Sequence, residues 1–266
     1  MKSLIYSLLL LGVLFGSTAC EEIIELELSD SEPQLVIEGT ITDLAAVPAR
    51  VQLTYSGSYF EPGDYAFAEG ATVSIRNSQG EQTQLAEVAP GIYQSNEILG
   101  ALGEAYTLEI EADGQSYQTT SSIQPSVPLD SVSFVVQNGG PIEGIFPRVH
   151  FQDPAGEDTY LRFVVFVNGQ PRSNILIYDD NLSDGANAIS PLVVLGLQPG
   201  DELLIQAWSL DRAGYDYYFT LSNIVGDAFG AGGQSAAPSN PTSNIEGKAV
   251  GYFGAHAVSS ISVVVP

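Results

Sequence analysis

The sequence predicts a mostly all-β protein of two antiparallel β-sandwich modules, the first immunoglobulin-like and the second carrying one short α-helix. Three observations carry that expectation. Apolar and polar residues alternate with period two in many short runs, as on half-buried strands. Turn residues separate the runs, and Asp113-Gly114 and Asn168-Gly169 are two-residue hairpin signals. Only one stretch, after Asp211, has the three-to-four-residue spacing of an amphipathic helix. With 44% hydrophobic residues, 13 Tyr and 11 Phe in 266, the chain is apolar enough to build a core.

The first element is an address. Met1-Lys2-Ser3 supplies one positive charge, Leu4 to Phe15 is an apolar run, and Gly16-Ser17-Thr18-Ala19 leads to Cys20. This is the layout of a secretory signal peptide over residues 1–19. The apolar run makes about 18 Å of helix, short of a ~30 Å hydrocarbon core. Cys20 is the only cysteine, so no intramolecular disulfide forms. Its position resembles a bacterial lipobox, in which the thiol is acylated and the Cys becomes the mature N-terminus. Ser17 stands where lipoboxes most often carry Leu. A covalent lipid on Cys20 is the expected membrane anchor, and no other cofactor is expected.

Residues 20–33 read as an acidic lipoprotein tether, with six acids between Glu21 and Glu32. Ile23 to Leu28 partly alternates and can pair as an edge strand. Headgroups do not draw such acids in, so acyl chains are expected to hold the protein. The acidic stretch resembles the surface-export signal of Bacteroidota lipoproteins, which favours the cell surface over the periplasm.

Residues 34–123 form the first sandwich. Leu35, Ile37, Gly39 and Ile41 share one face; Val51, Leu53 and Tyr55, then Val73 and Ile75, repeat the pattern. Ile92-Tyr93 follows the turn pair Pro90-Gly91. Tyr106, Leu108 and Ile110 lead through Asp113-Gly114 to a return strand at Tyr117. The Cys…Trp…Cys core of antibody domains is absent.

Residues 124–130 are a linker stiffened by Pro125 and Pro128. Residues 131–266 form the second β-rich domain. Strands are expected at Val132–Val136, at Val149–Phe151, in the apolar run Tyr160–Val167, at Leu192–Leu195 and at Leu203–Trp208. A helix near 212–225 starts at the cap Asp211, with Tyr218, Leu221, Val225 and Ala228 on one stripe and Gly226 and Gly230 as terminators. A Gly/Ser/Ala/Pro-rich loop over 230–247 follows. Strands at Val250–Phe253 and Val258–Val265 close the chain.

The charge balance excludes a partner class. The chain has 32 acidic and 8 basic side chains, net −24. A nucleic acid needs clustered Lys and Arg to displace phosphate counterions, so no nucleic-acid partner is expected.

Little in the sequence carries chemistry, and no catalytic residue is assigned. A Ser-His-Asp site requires a His held by an acid and facing a nucleophile. His150 alternates with Val149 and Phe151, which puts it on a solvent face, and His256 follows Gly254-Ala255 in a turn-like stretch. No Gly-x-Ser-x-Gly elbow occurs, and none of the many acids forms a recognisable glycosidase pair. No metal is expected. The weak exception is a calcium loop through Asp179, Asn181 and Asp184, whose Gly185 falls one position late for an EF-hand; the plainer reading is an acidic surface loop. Among aromatics, Tyr218 fits the core side of the helix, while Tyr215 and Tyr217 can be exposed. Tyr215, Tyr217 and Tyr252 are the candidate contacts to a glycan, peptide or partner protein.

A series of short motifs gives a family resemblance. Cys20-Glu21-Glu22 leads into Leu35-Val36-Ile37-Glu38-Gly39, then Gly70-Ala71-Thr72-Val73, Pro90-Gly91-Ile92-Tyr93 and Tyr106-Thr107-Leu108-Glu109-Ile110. Pro128-Leu129-Asp130-Ser131-Val132, Asp153-Pro154-Ala155-Gly156-Glu157 and Tyr160-Leu161-Arg162-Phe163 follow. Pro241-Thr242-Ser243-Asn244-Ile245 and Gly251-Tyr252-Phe253-Gly254-Ala255 end the series. In this order they resemble the Bacteroidota lipoproteins grouped as domain of unknown function family 4249, although the chain is short for that family. The resemblance implies an outer-membrane, lipid-anchored cell-envelope protein, often encoded beside a TonB-dependent transporter, with no established reaction. The first half is also similar to carboxypeptidase-regulatory modules, which are structural or docking domains. The expected role is a non-enzymatic accessory or binding subunit of such a transporter. The alternatives are a surface adhesin or glycan-binding envelope protein, and, more remotely, a hydrolase.

Overall fold

Seven strands follow one another through the first half: β1 Leu35–Thr42, β2 Ala49–Tyr55, β3 Thr72–Asn77, β4 Gln82–Ala89, β5 Ile92–Ser95, β6 Ala105–Ala112 and β7 Gln115–Ser122. A computed structural model describes residues 32–57, 65–139, 142–181, 184–225 and 240–266. The signal peptide, Cys20 and nearly all of the tether lie outside the described residues, as do Ala228 and the candidate helix terminators Gly226 and Gly230. The alternation places Ile37, Val51, Leu53, Val73, Ile75 and Leu108 inward, each no more than 1% exposed. Asp113 and Gly114 take positive φ, 53° and 70°, and turn β6 into β7, as their sequence requires. Strand β4 was not legible: of QTQLAEVA only Leu85 is buried. Its register shifts between Glu87 and Ala89 where it passes from β3 to β5.

The first sheet recruits a strand from the far end of the chain. Its order is β15-β1-β2-β5-β4-β3-β6-β7, where β15 is Val250–His256. Strand β15 runs parallel to β1, pairing Ile37 with Gly251 and Ile41 with Ala255. The sequence placed Val250–Phe253 with the second half; the structure places it in the first sheet. Glycine makes the pairing possible. Gly251 has φ +122°, and a Cβ there would lie 2.0 Å from the Ile37 carbonyl oxygen. Phe253 and Ala255 then enter the first core, both fully buried.

The second half packs two smaller sheets around its own core. One has the order β13-β9-β8, from Asn187–Pro191, Gly144–Gln152 and Ser131–Gln137. The other has the order β11-β10-β14-β16, from Gln170–Pro171, Tyr160–Val167, Glu202–Leu210 and Val258–Val264, with β12 Leu176–Asp179 also on β10. Phe151, Leu161, Phe163, Val165 and Ile205 fill the space between them. Leu192–Leu195 is not a strand. Leu192 and Val194 are buried as irregular chain covering this core, while the mixed segment before them, Asn187–Pro191, pairs as β13.

The linker is not free. Val127 is buried in the second core, the Pro125 carbonyl accepts from Ser209 Oγ (2.7 Å) and the Val127 carbonyl from Ser259 Oγ (2.5 Å). Residues Pro33–Pro266 cluster as one compact unit. Among the described residues the fold is mostly β, with antiparallel sheets, one parallel strand pair and one helix, α1 Arg212–Val225. No helix among the described residues is long and apolar enough to cross a membrane.

Candidate functional site

A cleft of about 370 Å³ opens where the outer face of β15-β1-β2, the outer face of β10-β14 and helix α1 meet. That volume is within the range of about 300–1,000 Å³ typical of small-molecule sites. Each wall follows from strand alternation. With Ile37, Gly39 and Ile41 turned inward, Glu38 and Thr40 face out; Glu38 stands beside Tyr252 and Thr40 beside Arg50 in the neighbouring strands. On β10, Leu161 and Phe163 point to the second core, so Arg162 faces the cleft, directly opposite Trp208 on β14.

Helix α1 supplies the third wall. Asp211 caps it, Oδ1 accepting from the Gly214 amide at 2.7 Å. Its Oδ2 accepts from Ser121 Oγ (2.7 Å), which in turn accepts from the Ala255 amide (3.1 Å), so one carboxylate ties helix, β7 and β15 together. Gly214 lets β15 approach: a Cβ there would lie 2.3 Å from the Tyr252 hydroxyl. Tyr217 stacks on Tyr252 with ring centres 5.2 Å apart and planes at 17°, and Tyr218 meets both edge-on. Behind Tyr252 the His256 ring is 1% exposed. Its Nδ1–H donates to the Ser209 carbonyl (2.9 Å), and Trp208 tilts over it at 5.3 Å.

The cleft concentrates positive charge in a very acidic chain. The Arg162 guanidinium lies 4.3 Å from the centre of the Tyr218 ring, and Nη1 donates to the Tyr218 hydroxyl at 2.8 Å. Arg50 is on the opposite wall, its Nη2 donating to Gln52 Oε1. Among the described residues the ion pairs are Arg76–Glu109 and Arg212–Asp216, so Arg162 has no carboxylate partner there. Four buried side-chain polar atoms among the described residues lack a hydrogen bond; two of them, Arg162 Nε and Thr40 Oγ1, belong to this cleft. Burial pushes the phenols of Tyr217, Tyr218 and Tyr252 up, with Glu38 adding to the effect at Tyr217 and Asp211 at Tyr252. Burial drives the His256 imidazole down to about 4. All three tyrosines are therefore neutral donors and His256 is uncharged at neutral pH. The arrangement can bind and orient a ligand.

A larger cavity, about 660 Å³, runs along the face of β3, β6 and β7. Glu109, Glu111 and Glu246 line it, and its one aromatic is Tyr117. It lacks the converging aromatics and unsatisfied donors of the cleft, which is why the smaller space is the candidate.

The sequence candidates divide. Tyr217 and Tyr252 come together in the cleft, but both are buried, 6% and 3% exposed, so Tyr217 is not the exposed residue the sequence suggested. Tyr218 is only partly buried and meets Arg162. Tyr215 lies apart: it stacks between Tyr160 and Phe219, and its hydroxyl donates to Asp179 Oδ2 at 2.5 Å. Asp179, Asn181 and Asp184 do not converge. Asp179 also takes the Asn181 amide, whereas Asp184 takes the Gly156 amide. No group of three His, Cys, Asp or Glu side chains among the described residues is placed to hold a metal. His256 is in a buried strand, not a turn. His150 is on a strand face with Nε2 2.7 Å from Ser133 Oγ, but no carboxylate holds its other nitrogen among the described residues. Of the loop before β15, residues 240–247 are described. Asn244 brackets Phe253 through both its amide and its carbonyl, and Ile245 enters the first core.

Sequence reasoning missed Arg162, Trp208, Thr40, Glu38 and Arg50. One signal was present, a lone charge at Arg162 inside the apolar run Tyr160–Val167. Searched against proteins of curated function, the chain finds no match. The family model described as Domain of unknown function (DUF4249) matches residues 21–262, and the chain belongs to that family.

Proposed function

We propose that this protein is a lipid-anchored outer-membrane protein that binds a ligand rather than transforming it, as an accessory subunit of a TonB-dependent transporter. One observation carries the binding role: the cleft among β1, β10, β14 and α1 combines tyrosines, a tryptophan and an arginine that has no carboxylate partner among the described residues. Such a mixture of aromatic walls and few convergent polar groups is the usual make-up of a recognition site. The anchor rests on the lipobox resemblance at Cys20. The transporter rests on the resemblance to the Bacteroidota lipoproteins. The acidic surface disfavours an anionic macromolecular partner and keeps the chain clear of anionic headgroups.

The test is a purification of the full chain from gently solubilised outer membranes, with mass spectrometry of what accompanies it. A TonB-dependent transporter at near-equal stoichiometry is expected. Recovery of the protein alone overturns the transporter assignment and favours a free surface binder. In parallel, Cys20→Ser is expected to move the protein from the membrane to the soluble fraction; retention in the membrane overturns the lipid anchor.

A further inference from the structure

The cleft's unsatisfied groups specify more than binding. Arg162 commits Nη1 to the Tyr218 hydroxyl. Its Nε is buried without a partner, and its Nη2 has none among the described residues. Nε and Nη2 form the side edge of the guanidinium, which matches the two oxygens of a carboxylate. Arg162 is half-buried and has no carboxylate partner among the described residues, so an incoming anion supplies the missing countercharge. Thr40 Oγ1, on the facing wall, is a second orphan that can donate to or accept from a hydroxyl. Trp208 and Tyr218 keep part of their surfaces open, which suits the flat side of a ring. Glu38 on the same wall tolerates a monoanion better than a dianionic phosphate, and can accept from ligand hydroxyls.

We infer that the cleft takes a small organic carboxylate carried on a hydroxylated ring, an acidic sugar in chemical class. The carboxylate docks on the Nε–Nη2 edge of Arg162, a ligand hydroxyl meets Thr40, and the ring lies against Trp208. This rests on the cleft being the ligand site, as proposed above. Specificity comes from a local guanidinium, not from the long-range field, which is that of a net −24 chain and repels anions.

Trp208 makes the test direct, because it is the only tryptophan of the chain and lines the cleft. Its fluorescence is titrated at constant ionic strength with D-glucuronate, D-glucose and inorganic phosphate, each to about 10 mM, where even weak sites respond. A saturable response to glucuronate, with little from glucose or phosphate, is expected. Arg162→Gln is expected to weaken glucuronate about tenfold or more, the usual loss for a charge-assisted bond, and Arg162→Lys less than Arg162→Gln. Thr40→Val, which removes an unsatisfied hydroxyl at nearly constant volume, keeps the test available if Arg162 variants fold poorly, and is expected to weaken glucuronate several-fold. Equal responses to glucose and glucuronate overturn the carboxylate assignment and leave the binding role standing. A phosphate response as strong as glucuronate's overturns it in favour of a general anion site. Unchanged binding in both the Arg162→Gln and Thr40→Val proteins overturns the docking geometry. Silence from all three probes overturns the inference, while transporter co-purification separately tests the accessory role.

Discussion

Tyr218 holds Arg162 twice, its ring under the guanidinium at 4.3 Å and its hydroxyl accepting from Nη1 at 2.8 Å. The two residues come from different elements, Tyr218 from α1 and Arg162 from β10. Their contact fixes the orientation of the guanidinium, whose Nε is left without a hydrogen-bond partner among the described residues. Tyr218→Phe keeps the ring and removes the hydroxyl, and is expected to cost about 1 kcal/mol of stability. A double-mutant cycle with Arg162→Gln, read by urea unfolding, is expected to show a coupling of about 1–2 kcal/mol. Additive effects of the two substitutions would mean that the guanidinium is not held by this ring.

The position of the helix depends on Asp211 and Gly214. Asp211→Ala removes the cap of the Gly214 amide and the acceptor of the Ser121 hydroxyl, and is expected to cost about 2 kcal/mol. Gly214→Ala is the sharper test. Helix propensity alone favours Ala over Gly by about 1 kcal/mol. The added Cβ, however, meets the Tyr252 hydroxyl at 2.3 Å, so the helix must lift from β15. We expect net destabilisation and a red-shifted Trp208 emission as the cleft opens. A stabilised Gly214→Ala protein would contradict the tight Tyr252 contact.

Where side chains alternate strongly, the sequence already showed the fold. Leu35 to Thr42, Tyr106 to Ile110 with its Asp113-Gly114 turn, Tyr160 to Val167 and the extent of the helix behind Asp211 could be read locally. The helix's buried face could not, since Gly214, Tyr217 and Ser222 are buried while Val225, expected on the inner stripe with Tyr218 and Leu221, is exposed. Three other features could not. Strand β4 has one buried residue and no periodic signal. Leu192 and Val194 look like a strand because they are apolar, yet burial alone does not require a ladder. The pairing of β15 with β1 joins residues about two hundred positions apart, and no local pattern encodes a long-range partner. The cleft suffered from the same gap. Tyr217 and Tyr252 were legible as aromatics, but Arg162, Trp208 and Thr40 become a site only when three distant segments meet.

That long-range pairing has a single vulnerable point. Gly251 takes φ +122°, and a Cβ there would lie 2.0 Å from the Ile37 oxygen and 2.8 Å from its carbon, backbone atoms that cannot move aside without breaking the sheet. Gly251→Ala is therefore expected to cost about 3 kcal/mol or more, among the largest effects of a single methyl group. Gly254→Ala meets side-chain atoms of His256 and Tyr252 and is expected to cost less. Urea unfolding of the two proteins orders them, and the reverse order would contradict the parallel register.

Asp153 is a buried liability near the loop that carries Asp184. It is 1% exposed, and among the described residues neither carboxylate oxygen has a partner in good hydrogen-bond geometry. Burial raises its pKa; the polar groups of Thr159 and the Gly185 amide oppose the shift, the charges of Asp180 and Asp184 add to it, and the net direction is up. A carboxyl whose folded pKa lies above its unfolded value stabilises the fold when protonated. That contribution is present below the ordinary carboxylate range and is lost as the pH rises through the raised value. Above the raised value the ionised side chain works against the fold, and Asp153→Asn is expected to stabilise it there by about 1 kcal/mol. The gain shrinks as the pH falls into the carboxylate range. Thermal unfolding at several pH values checks this, and a destabilised Asp153→Asn protein at pH 7 would show that the carboxylate has a counterpart after all.

His256 gives the opposite pH dependence, and it reports on the packing behind the cleft. Burial, reinforced by the positive charge of Arg162, holds its pKa at about 4, against the usual 6.5; the Ser209 carbonyl and Asp211 oppose the shift without cancelling it. With the folded pKa depressed, the unfolded chain takes up the proton first. The stability that the neutral imidazole supports is complete above about pH 6.5 and is lost as the pH falls toward 4. A shift of this size corresponds to about 3 kcal/mol across that window. His256→Gln offers an amide that can still donate to the Ser209 carbonyl but does not titrate. The unfolding free energy of the natural protein is expected to fall by about 3 kcal/mol more than that of His256→Gln between pH 7 and pH 4. Parallel pH profiles for the two proteins would mean that the imidazole reaches solvent, and that the stack of Trp208, His256 and Tyr252 is looser than its ring distances of 5.3 Å and 6.2 Å imply.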